Sequence, residues 1–160
     1  MTTRESGRAL PAARGPLPGF ALVLHTHLPF VVSHGRWPHG SDWLNEAAVG
    51  CYLPLLDVAR RLAAAGVSPR WTINVSPVLA EQLVSGTFHK ELEFFMDTRL
   101  RFCEENRQHF RRSGEEALVA LTYRWEAYLD GVWGLWRGIG GDLVGALAEL
   151  GARGHLEEGL

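Results

Sequence analysis

Two histidines one residue apart, His25 and His27, close an apolar run in FALVLHTHLPFV. In an extended chain, alternation puts both imidazoles on one side and Thr26 on the other. An imidazole in that position can pack, ligate a metal, or hydrogen-bond a substrate hydroxyl. The segment that follows, HGRWPHGSDWLNEA, adds Trp37, Trp43, Asp42 and Glu46. Indole faces stack on the C–H faces of sugar rings, and a carboxylate accepts from sugar hydroxyls. Each residue also has a plain structural use: Trp37 as loop packing, Asp42 as a helix cap, Glu46 as a solvated helix residue.

Three readings of the pair compete. In the structural one, the histidines pack near a strand end. In the metal one, His-x-His after a first barrel strand is the opening motif of amidohydrolase-type enzymes, whose imidazoles share Zn²⁺ at about 2.0–2.1 Å. The second expected strand ends in Asn74 and Ser76, which are poor ligands, and HExxH is absent from the sequence. His34, His39, His89, His109 and His155 fall at no ligand spacing. No metal and no cofactor is therefore expected. In the third reading, His25, His27, Trp37 and Glu46 contact a sugar, as substrate-binding groups.

The elements that must position these residues are readable. Phe20–Leu24 is continuously apolar, as in a parallel strand covered on both faces. Pro29 stops it. Ser41 or Asp42 is expected to cap a helix from about Trp43 to Ala65, kinked or restarted at Pro54 and ended by Gly66. RWTINV, residues 70–75, reads as a second strand, and Ser76-Pro77 as an N-cap followed by proline at the first helical position. VLAEQLV continues that helix to Gly86. Longer helices are expected over 89–112 and 115–137, then a short one over 142–150 after GIGG. ARGHLEEGL reads as the start of a third strand. The order strand, helix, strand, helix favours βαβ units and an α/β class.

With 160 residues and 46% apolar content, the chain can bury one medium core. The formal charge of −2 and the lack of a basic stripe argue against nucleic acid as partner. No apolar run reaches the ~18 residues of a membrane span. Residues 1–18 read as a flexible Pro/Ala/Arg-rich leader without a signal-peptide apolar core, leaving 19–160 as the folded unit. Cys51 and Cys103 stand far apart, outside any CxxC, and read as reduced thiols of a cytoplasmic protein.

The segments FALVLHTHLPFV, GRWPHGSDWLNEA, CYLPLLDVARRL, INVSPVLAEQL and GGDLVGALAELGARGHLE, in that order, resemble the N-terminal part of the catalytic domain of glycoside hydrolase family 57, and within it the 1,4-alpha-glucan branching enzymes. The resemblance spans roughly residues 19–157. It implies the N-terminal portion of an incomplete (β/α)₇ barrel, here two parallel strands plus several helices, truncated. It implies retaining chemistry on an α-1,4-glucan, in which one carboxylate attacks the anomeric carbon and a second protonates the leaving oxygen and then activates the acceptor. His25 and His27 match the family's first signature region, which contacts sugar, and Trp37 resembles an aromatic near its active site. The family's nucleophile Glu and acid/base Asp lie beyond the point where this chain ends, so no catalytic residue is assigned and the chain alone is expected to be inactive. The alternatives are an amidohydrolase-type fragment using His25 and His27, and a non-catalytic glucan-binding remnant. Helix faces left uncovered by a missing barrel are expected to self-associate.

Overall fold

The computed structural model of the chain describes residues 19–159; the leader expected over 1–18 lies outside them. β1 (Val23–Thr26), β2 (Trp71–Val75) and β3 (Leu156–Gly159) form a parallel sheet in the order β1-β2-β3. The two-strand expectation is thus corrected to three. Leu156, buried at 4% exposure, packs into the core and pairs with Trp71, and the His155 carbonyl accepts from Arg70 N at 2.9 Å. β1 also begins later than its apolar run predicts. Phe20 is 89% exposed, while His25 lies inside the strand, in register with Asn74.

Between the strands run α1 (Ser41–Ala47), a π turn (Ala48–Tyr52), α2 (Leu53–Ala64), α3 (Pro77–Leu83), α4 (Gly86–Ser113), α5 (Glu116–Gly138) and α6 (Leu143–Ala152). Ser76 caps α3 as the sequence predicts, its hydroxyl accepting from Leu79 N. Ser85 caps α4 in the same way through Phe88 N, which starts that helix three residues before the expected His89. Asp142 caps α6 through Gly145 N at 2.7 Å. α1 departs from expectation: neither Ser41 nor Asp42 caps it, because Ser41 is already helical behind Gly40 and its hydroxyl donates to Glu91.

The break expected at Pro54 takes the form of the π turn. Leu53 N donates to Ala48 O, five residues back, and Pro54 has no N–H to offer the next carbonyl. Val49 O is thereby left without a helical donor. The Tyr128 hydroxyl, arriving from α5, donates to it at 2.8 Å.

Leu44, Leu53, Leu56, Leu79, Phe88, Leu92, Met96 and Leu143 are almost wholly buried and join the helices into one core. α4 and α5 are further tied by buried Arg107, which donates to Glu104, Glu126 and Thr122 and lies over the Tyr123 ring. On the sheet, Thr26, Ile73 and Val75 face Leu79, Leu83 and Leu143 from the helix layer. The other face, carrying Val23, His25 and His27, is exposed. A parallel sheet is normally covered on both sides; here only one side is.

Candidate functional site

The bare face is the polar one. The His25 and His27 rings stack at 6.3 Å between centroids with 14° between planes, so alternation does place them side by side. Asn74 stands opposite His25 in the β1–β2 register. His27 Nδ1 and Ser76 Oγ are 3.3 Å apart. Thr26 turns the other way and donates to the Asn74 carbonyl at 2.9 Å, tying the two strand ends together. At the C-terminal edge of β1 and β2 the sheet therefore presents two imidazoles, an amide and a hydroxyl. These groups exchange hydrogen bonds with hydroxyls and carry no formal charge when the imidazoles are neutral. Functional groups of open and closed parallel sheets gather at this edge.

Two polar residues from elsewhere brace the chain that leaves β1, one just past the strand edge and one in the 36–41 loop. Gln82 is 1% exposed. Its Oε1 accepts from Val31 N at 2.7 Å and its Nε2 donates to Pro29 O at 3.1 Å, fixing the chain just after His27. In sequence Gln82 looks like one more residue of VLAEQLV. Its one signal is a polar side chain on a face whose neighbours, Leu79 and Leu83, are apolar. Glu91 on α4 is the second. It accepts from Arg36 Nε at 2.7 Å, from Arg36 Nη2 at 3.3 Å and from Ser41 Oγ at 3.1 Å. The hydrogen bond from Arg36 holds its carboxyl below the usual carboxylate range against the opposing pull of partial burial.

The other candidates separate. Trp37 projects from the 33–40 loop at 76% exposure. Glu46 is spent on α4: its carboxylate pairs with Arg99 at 2.9 Å. It lines a cavity of about 660 Å³ between the π turn, α4 and α5, together with Phe95, Phe102, Leu121 and Trp125. Neither His25 nor His27 borders that cavity. Trp43 lies beside His39, ring centroids 5.9 Å apart. Among the described residues no three His, Cys, Asp or Glu side chains gather as a metal site, and no helix is long and apolar enough to cross a membrane.

A parallel sheet with helices on one face, and a polar strand edge open on the other, places the chain in the α/β class. Solved structures bear out that class. The GH57-type branching enzyme of Pyrococcus horikoshii matches with a TM-score of 0.82 and 36% identity over 86% of this chain and 26% of its own. The GH57 branching enzyme of Thermococcus kodakarensis, solved with glucose and additives, matches with 0.75 and 38% over 86% and 24%. The alpha-amylase AmyC of Thermotoga maritima shares the fold at a TM-score of 0.76 with 20% identity.

Sequence comparison agrees. The 1,4-alpha-glucan branching enzyme of T. kodakarensis is 41% identical over 135 residues, 84% of this chain. A probable 1,4-alpha-glucan branching enzyme of Mycobacterium tuberculosis is 48% identical over 69 residues, 42% of this chain. No family model matches the chain. Along most of its length the chain is thus a relative of GH57-type branching enzymes, and it spans 19% of the T. kodakarensis enzyme's length.

Proposed function

We propose that this chain forms the first wall of an α-glucan cleft in a retaining, branching-type enzyme, with its sheet the opening sector of an incomplete (β/α)₇ barrel. The observation that carries the reading is the stacked His25–His27 pair on the bare face of a sheet, in a chain 41% identical to a branching enzyme. In this reading the imidazole N–H groups donate to hydroxyls of a glucose unit in the cleaving subsite, and Ser76 fixes the orientation of His27. Trp37 offers its face to a neighbouring ring. Glu46 stays with Arg99 and does not touch sugar. The chemistry falls to two carboxylates contributed from outside these residues: one attacks the anomeric carbon, and the other protonates the leaving oxygen and then activates the acceptor, the 6-hydroxyl of another glucan. The free thiols Cys51 and Cys103 support a reducing, cytoplasmic setting.

One wall of a cleft binds weakly, so maltoheptaose should titrate the purified chain with a dissociation constant of about 1 mM, equivalent to roughly −4 kcal/mol. His25→Ala and Trp37→Ala should each abolish the saturable change in tryptophan fluorescence or titration heat. Wild-type protein without saturable binding, or both variants binding as well as wild type, would sink the reading.

The apolar face around the α4–α5 cavity should also drive association. Phe102, Leu121 and Trp125 are each more than 40% exposed there. Elution from a sizing column should move earlier as concentration rises, and Trp125→Glu should reverse it; a concentration-independent monomer speaks against this.

A further inference from the structure

Trp37 has no hydrogen bond or ring contact of its own among the described residues, so something else must aim it. The residue before it is held twice over. The Arg36 carbonyl accepts from Gly40 N at 3.2 Å and Asp42 N at 3.3 Å, and Gly35 O accepts from Ser41 N at 2.8 Å. The closure is so tight that a Cβ on Gly40 would sit 2.0 Å from Gly35 O. The Arg36 guanidinium then reaches α4, where it lies 3.6 Å above the Phe94 ring and forks onto the Glu91 carboxylate. The same carboxylate accepts from Ser41 at the other end of the loop, and the Glu91 carbonyl accepts from Asn45 Nδ2 at 3.3 Å.

We propose that Glu91 is a positioning residue for Trp37: by clasping both ends of the 36–41 loop, it holds the exposed indole as a pre-formed platform for a glucose ring. The platform role rests on the glucan reading above; the clasp does not. A fork of two hydrogen bonds from a planar guanidinium fixes direction as well as distance, which a lysine or a single bond would not. An exposed ring already held in its binding orientation spares the complex the entropy of ordering it. Releasing the clasp should therefore weaken sugar binding while leaving the core intact, because Arg36 and Glu91 both lie outside it.

The test uses the full chain in four forms: wild type, Glu91→Gln, Glu91→Arg, and the exchanged pair Arg36→Glu with Glu91→Arg. Maltoheptaose affinity should fall about 3- to 10-fold in the two single variants and return in the exchanged pair. Melting temperature should change little across the set. Trypsin supplies a readout that needs no sugar. The Arg36–Trp37 bond is a legal cleavage site shielded by the clasp, and mass spectrometry should show the new terminus at Trp37 forming several-fold faster in Glu91→Gln. Binding unchanged in Glu91→Gln, or lost without recovery in the exchanged pair, overturns the platform role. Cleavage no faster in Glu91→Gln overturns the clasp. Wild-type protein that fails to bind at all sinks the glucan reading and the platform role together, while faster cleavage in Glu91→Gln would still uphold the clasp.

Discussion

Phe88→Ala should lower the unfolding free energy by about 3–5 kcal/mol, the range for a fully buried phenylalanine cut back to a methyl group. Phe88 is 1% exposed in the first turn of α4, where its N–H is held by the Ser85 cap. Its ring meets the Trp136 ring edge-on at 5.7 Å, and His89 meets the same indole at 5.1 Å. This cluster joins the beginning of α4 to the end of α5, and the Gly141 backbone closes over it. An edge-to-face pair adds about 0.5–1.5 kcal/mol beyond its buried area, so the loss belongs at the upper end. Domains of this size are stable by only about 5–15 kcal/mol. The variant should lose a large share of that margin, with a urea midpoint shifted far down. Val84→Ala, at 55% exposure, is the control and should move the midpoint little. A Phe88→Ala loss below about 1 kcal/mol would show that the two helix ends are not packed as described.

The second large effect is an absence of turnover. Purified chain incubated with amylose should change neither iodine staining nor the number of reducing ends. Retaining transfer needs two carboxyl groups about 5–5.5 Å apart across the scissile bond. Among the described residues, the strand edge carrying His25 and His27 offers imidazole, amide and hydroxyl groups instead. The exposed Glu157 sits further down the sheet, accepting from Thr72 at 3.3 Å. Imidazoles and an indole bind and orient a sugar; they do not supply the nucleophile for this mechanism. Any reproducible rise in reducing ends above a boiled control would show that a carboxylate pair assembles here after all.

Much of the fold was readable because its signals are local. Ser76-Pro77 announced α3, Gly66 ended α2 with its left-handed backbone at φ +77°, and the RWTINV alternation marked β2. The His-x-His pair was readable for the same reason, since period-two alternation decides which way each ring points. What failed depended on partners far away in sequence. β1 shifted because its extent is set by pairing with β2, which carries the strand on to Thr26. The partner of Glu46 was also hidden: Arg99, fifty-three residues on, pairs with its carboxylate. Glu91 gave no signal at all. It is one acidic residue in the charged stretch HKELEFF, and its role comes from an arginine 55 residues earlier. Composition and periodicity carry no record of such pairs.

The π turn before α2 has a bearing on α5 as well. With Leu53 N turned to Ala48 and no N–H on Pro54, the Val49 carbonyl is open to an outside donor, and the Tyr128 phenol on α5 reaches it. Helices packed through apolar ridges alone can slip by a full turn, about 5.4 Å, and still bury similar area. Here a slip would strand a buried acceptor, at about 1–3 kcal/mol. Pro54 thus acts as a vernier: it selects one axial setting for α5, and so for the aromatic cluster at that helix's far end, from a residue on a different helix.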